Sequence, residues 1–114
     1  MREIILNPTH EENTTLEIPG KIQRFPHAKR DSGKALLNAL HKLKIEKDDE
    51  VKVVRGEGNF TAIRSAALLA NAIAYITGCK LFSRKKSEKS WKAVKQILPY
   101  YAKPPSITIA KKLR

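Results

Sequence analysis

The stretch Val51-Lys52-Val53-Val54-Arg55-Gly56-Glu57-Gly58-Asn59-Phe60-Thr61-Ala62-Ile63-Arg64 decides how this chain folds. Its opening residues are rich in β-branched side chains, which suit a pleated, buried surface, so Val51–Val54 reads as a strand. Gly56 and Gly58 then allow a tight loop. Asn59 or Thr61 can cap a following helix, because either side chain accepts from a backbone N–H that has no partner in the first turn. The helix should run to Ile76 or Thr77, with Gly78 ending it in a left-handed conformation.

That helix has an unusual surface. Ala62, Ala66, Ala70 and Ala74 recur four apart and form a smooth ridge suited to close backbone approach. Leu68, Leu69, Ala72 and Ile76 occupy another face, and only Arg64, Ser65, Asn71 and Tyr75 add polarity. A helix apolar nearly all round needs cover on more than one side. A sheet can supply one cover. A neighbouring helix or a second chain must supply the other.

Upstream, Glu3-Ile4-Ile5-Leu6 stops at Asn7-Pro8, Thr14-Thr15-Leu16-Glu17-Ile18 alternates, and Lys21–Phe25 resumes after the turn Pro19-Gly20. These predict an antiparallel meander of three strands. Asp31 or Ser32 can cap a helix carrying Leu36, Leu37, Leu40 and Leu43, with Lys42 and Lys44 in its last turn, where cations suit the dipole. Glu46-Lys47-Asp48-Asp49-Glu50 reads as a loop of solvated charge. The strand at residue 51, reached through a helix, should lie parallel to an earlier one. Downstream, Lys80-Leu81-Phe82 predicts a short strand. Ser87 can cap a third helix with Trp91, Val94, Ile97 and Leu98 on one side, stopped by Pro99, and Ile107-Thr108-Ile109 predicts a closing strand.

The 114 residues indicate one domain, and 41% hydrophobic residues indicate a globular one. Cys79, the single cysteine, forms no intramolecular disulfide and suggests a reducing compartment. The longest apolar stretch, Ala66 to Ile76, is interrupted by Asn71 and short for a bilayer, and Met1-Arg2-Glu3 leads straight into a strand, so the expected location is cytoplasmic with no membrane contact. The net charge of +12 is segregated. Residues 80–114 carry eleven Lys or Arg against the one acid Glu88, whereas residues 1–79 carry twelve against ten. A segregated excess points to a polyanion or an acidic partner, with a solvated basic face as the plainer explanation.

Catalytic signals are thin. His10, His27, His41 and Cys79 lack metal-ligand spacing, so no metal site is expected, and the acids sit in loops without a paired geometry. Gly56-Glu57-Gly58 lacks the third glycine of a dinucleotide site and the Gly-Lys-Ser/Thr of a phosphate loop, and Glu57 would oppose a phosphate. No cofactor is expected. The basic region interleaves aromatics with lysines, an arrangement that suits RNA through stacking plus phosphate contacts. Lys85, Lys86, Lys92, Lys95, Tyr100 and Tyr101 are the candidates for such a contact, while Trp91 reads as core.

Val53–Arg64 resembles the Gly-Pro-Gly-Ser-Phe-Thr-Gly-Leu-Arg signature of the TsaB family, non-catalytic subunits in bacterial threonylcarbamoyladenosine tRNA modification. Gly56, Gly58, Phe60, Thr61 and Arg64 match it; Glu57, Asn59 and Ala62 depart from it. Leu36-Leu37-Asn38-Ala39-Leu40 is similar to the family's first helix, and Leu98–Pro105 faintly to its late Pro-x-Tyr-x-Arg-x-Pro segment. The resemblance implies an α/β, actin-like or ribonuclease-H-like single lobe: a three-stranded meander extended by a parallel strand, with packed helices. Residues 1–83 would be the TsaB-like lobe, and 84–114 a basic helix and strand in the same compact domain. Typical members have a second lobe that this chain largely lacks, and Asn7-Pro8-Thr9 stands where actin-like ATPases place an acid.

The resemblance further implies a pseudo-enzyme that holds a TsaD-like catalytic subunit through its two helices, and pairs with itself through the same face in that subunit's absence. Leu36, Leu40, Ala62, Ala66, Leu69, Ala70 and Ile73 are the expected partner contacts. The glycine loop, with Gly56, Gly58, Phe60, Thr61 and Arg64, would position the second helix. The alternative is a free-standing basic RNA-binding protein using the Lys-rich C-terminal region; within the first reading, that region would be a tRNA contact. A small nuclease or hydrolase lacks the clustered carboxylates it would need.

Overall fold

The computed structural model describes residues 2–98. Its strands are β1 (Glu3–Asn7), β2 (Asn13–Ile18), β3 (Lys21–Pro26), β4 (Glu50–Arg55), β5 (Lys80–Lys85) and β6 (Lys92–Val94), and its helices are α1 (Ser32–Lys42) and α2 (Phe60–Thr77). They build a mixed α/β fold on one six-stranded sheet of order β3-β2-β1-β4-β5-β6. β1, β2 and β3 form the antiparallel meander, with Leu6 opposite Leu16 and Leu16 opposite Gln23. β4 joins β1 in parallel, with Ile4 beside Val51, and β5 joins β4 in parallel, with Val51 beside Leu81. Each parallel step is made by a helix, as a parallel connection requires.

Alternation along the strands puts Ile4, Leu6, Leu16, Phe25, Val51, Val53 and Leu81 on the face that carries the helices, all buried. Leu36 and Leu40 of α1 and Ile63, Ala66, Ala67 and Ala70 of α2 close over them. Each fully buried Leu, Ile or Val here contributes about 2 kcal/mol of hydrophobic stabilisation.

Several expectations need correcting. The third helix is absent: after a turn, Lys92–Val94 forms β6, antiparallel to β5, with Leu81 opposite Val94. β5 is longer than the expected Lys80–Phe82 and runs across the 83/84 boundary drawn from the sequence. The register explains both. An extended β5 would otherwise expose an unpaired edge, and pairing Lys92–Val94 to it outweighs the local helical spacing. Neither Asp31 nor Ser32 caps α1. Asp31 makes no side-chain cap hydrogen bond, and the Ser32 hydroxyl donates instead to the Pro26 carbonyl.

Asp49 is not a solvated loop charge. It is 3% exposed, accepts from Arg2 Nη2 at 2.8 Å, and also accepts from the backbone N–H groups of Arg2 and Glu46. These bonds favour its charged form and hold the carboxyl well below the usual carboxylate range. The closing strand expected at residues 107–109 lies outside the described residues.

Candidate functional site

α2 is defined at both ends by side chains and backbone. Asn59 Oδ1 accepts from the Ala62 N–H at 2.9 Å, and Gly78, at φ 77°, ends the helix with its N–H on the Ala74 carbonyl. Thr77 Oγ1 donates to the Ile73 carbonyl at 2.7 Å and accepts from the Cys79 N–H at 3.1 Å. These bonds fix where α2 begins and ends.

The glycine loop is held by contact with the turn after β1. A Cβ on Gly58 would lie 2.9 Å from the Thr9 carbonyl oxygen and 3.0 Å from Thr9 Cα. Only a glycine allows that approach. Thr9 is itself fixed, since its N–H and hydroxyl both donate to Asn7 Oδ1, at 3.0 and 2.6 Å. A Cβ on Gly56 would meet Lys86 Cβ at 2.9 Å, and Lys86 Nζ reaches the Thr9 carbonyl at 3.5 Å. Loop, turn and Lys86 thus form one packed junction that sets where α2 begins. Phe60, Thr61 and Arg64, in the first turns of the helix, are exposed.

The remaining surface of α2 is apolar. Leu68 is 60%, Tyr75 91% and Ile76 79% exposed, and with Ala72 they form one stripe at helical spacing. Leu37 on α1 is 49% exposed. The sequence has no charged residue between Arg64 and Lys80. α2 is long and apolar enough to cross a membrane by length and composition alone, a property that the apolar run from Ala66 to Ile76 did not suggest. Its inner face, however, packs on the sheet through Ile63, Ala66, Ala67 and Ala70.

The expected partner contacts divide accordingly. Leu36, Leu40, Ala66 and Ala70 are buried in the core, and Ala62, Leu69 and Ile73 are half-buried. The exposed stripe consists of their neighbours. Sequence periodicity showed that α2 is apolar all round but not which face meets the sheet.

Compared with known proteins, the chain matches no family model and no curated sequence.

The expected RNA contacts are also dispersed. Lys85, Lys86, Lys92 and Lys95 are all exposed, but Lys95 borders a cleft of about 780 Å³ between the C-terminal end of α2 and β6, whereas Lys86 borders the opposite face of the sheet. Tyr100 and Tyr101 lie outside the described residues. Trp91, read from the sequence as core, sits instead on the sheet face that carries no helix, with Arg84 Cζ 4.8 Å and Lys52 Nζ 5.5 Å from its ring centroid. Among the described residues, no three His, Cys, Asp or Glu side chains converge as metal ligands would.

Proposed function

We propose that this chain is a non-catalytic, cytoplasmic docking subunit of the TsaB type, which holds a TsaD-like catalytic subunit for threonylcarbamoyladenosine formation on tRNA. One observation carries the reading: the uncharged stripe Leu68-Ala72-Tyr75-Ile76 left open on a helix whose other side is already in the core. Apolar patches of this kind on a small domain mark contact surfaces. The resemblance of Val53–Arg64 to the TsaB signature names the partner class.

The strand order supports an actin-like or ribonuclease-H-like lobe. β2 runs antiparallel to its neighbours β1 and β3 at one side, β4 and β5 follow in parallel, and β6 adds an antiparallel strand at the far edge. The junction of Gly58 with Thr9 gives the signature loop a mechanical purpose, since it presents α2 at a fixed angle. The occupant is a protein and not a bilayer, because α2 keeps one side on the sheet. Without the catalytic subunit, the same stripe pairs two copies of the chain.

The test is co-purification with the TsaD-like protein of the same source, with Leu68→Glu and Ile76→Glu as the disrupting variants. A complex formed by the parent chain and lost in both variants, with unchanged circular dichroism, supports the reading. Failure of the parent chain to bind, or variants that bind as well as the parent, contradicts it.

A further inference from the structure

The sheet face opposite the helices carries a second, chemically different surface. The strand registers lay one continuous row across it: Ile22, Glu17, Ile5, Lys52, Phe82 and Ala93, one residue per strand. In the adjacent row, Arg24 lies beside Thr15 and Thr15 beside Asn7, while Val54 lies beside Arg84. No helix among the described residues covers these rows. They floor an open basin of about 610 Å³, with Lys86, Lys89 and Trp91 at its rim.

The charges on this face are uneven. Lys52 is balanced locally, with Nζ 3.1 Å from Glu3 and 3.8 Å from Glu50, and the same Nζ lies 5.6 Å from the Phe82 ring centroid and 5.5 Å from that of Trp91. Around the basin itself stand Arg24, Arg84, Lys86 and Lys89 against two acids, Glu17 and Glu88. Glu88 is occupied, accepting from the Lys85 N–H at 3.1 Å. Arg84 donates to the Glu88 carbonyl at 2.8 Å and is thereby held over the indole. Arg24, far away in sequence, faces the same basin from the opposite edge of the sheet. Four strand spacings separate β3 from β5, about 19 Å.

We propose that this open sheet face binds single-stranded nucleic acid, with Arg24, Arg84, Lys86 and Lys89 meeting phosphates and Trp91 stacking a base. Cations along a groove combined with an aromatic platform are what a flexible polyanion with π-faces requires. The chain's own C-terminal segment is a poor occupant, because residues 99–114 carry Lys103, Lys111, Lys112 and Arg114 and no acid, so like charges would meet. The surface lies on the opposite side of the sheet from the α2 stripe, so a docked protein and a bound strand do not compete.

Trp91 is the only tryptophan in the chain, so its emission reports on this face alone. The experiment titrates the whole chain with an oligouridylate of about twelve nucleotides, following both Trp91 emission and anisotropy of the labelled strand, with polyglutamate as the charge-only control. Binding should quench Trp91, and log K should fall with log salt at a slope of roughly −3, as expected for about four neutralised phosphates on a single strand. Arg24→Gln and Lys89→Gln should each weaken binding several-fold with unchanged circular dichroism, and Leu68→Glu should leave it unaltered. The proposal is overturned if the strand does not bind at low salt, or if it binds without moving Trp91 emission. It is equally overturned if Arg24→Gln binds like the parent, which would move the site to the basic C-terminal region. Polyglutamate binding as tightly would show a merely cationic surface open to acidic proteins.

Discussion

Asn71 of α2 clamps the backbone of Ile97. Its Nδ2 donates to the Ile97 carbonyl at 3.0 Å and its Oδ1 accepts from the Ile97 N–H at 2.7 Å, imitating with one side chain the paired bonds of a strand. Ile97, 2% exposed, is thereby locked into the core beyond the end of β6. The asparagine that interrupts the apolar run of α2 is the residue that ties the chain's late segment to the helix.

Asn71→Leu keeps the size but leaves both Ile97 backbone groups without partners. A loss of about 2 kcal/mol is expected, which lowers the unfolding midpoint by roughly 10 °C in a domain of this size. Hydrogen exchange should show the Ile97 amide and β6 losing protection while β1 to β4 keep theirs. Uniform loss across the sheet would mean that the clamp is not a local latch.

Gly58→Ala places a methyl against the Thr9 backbone, which has no flexible end to yield. A destabilisation of about 1–3 kcal/mol is expected, together with weaker docking, because the start of α2 shifts. Gly33→Ala is the matched control. Nothing lies within 4 Å of its added Cβ, so the helix gains about 0.5 kcal/mol. Calorimetry on the two variants should therefore give midpoint changes of opposite sign.

The Arg2–Asp49 pair makes stability depend on acid. An unfolded aspartate titrates near ~4, and the folded carboxyl titrates lower because Arg2 and two backbone N–H groups favour its charge. The stability it contributes is full above the unfolded value and drains as pH falls below it toward the folded one. Asp49→Asn should cost about 2 kcal/mol at neutral pH, and the gap to the parent chain should close under acid. Urea titrations at pH 7 and in strong acid check the sign; an equal gap at both would break the linkage.

The sequence made the order of elements legible from β1 to α2, because each segment there agrees with its own local signals. Asn59 and Gly78 bracket α2 by their chemistry, and the Val-rich β4 has no competing pattern. Failure came where tertiary contacts overrode local spacing. Trp91, Val94 and Ile97 fit a helical face, but the open edge of β5 and the Arg84–Trp91 stack draw the segment into a strand and a pinned coil. The basin on the far sheet face was illegible for a related reason. Arg24 and Lys89 come to line one basin only through sheet order, and alternation alone cannot say which side the helices will take.

The same ambiguity shifts the proposed docking surface from the alanine ridge to the stripe beside it. Ala66→Glu and Ala70→Glu bury a charge at positions 0% exposed and should prevent folding, whereas Leu68→Glu should leave a folded chain with ordinary circular dichroism. Thermal melts of the three variants separate the two faces. A folded Ala70→Glu chain would put the core elsewhere.

The most direct measurement is size-exclusion chromatography with light scattering on the chain mixed with the TsaD-like protein of the same source, run for the parent and for Leu68→Glu with Ile76→Glu. The account predicts a stable hetero-complex for the parent and separate peaks for the variant, with the variant also monomeric alone. A parent chain that elutes as a lone monomer beside the partner, or a variant that still assembles, would contradict it.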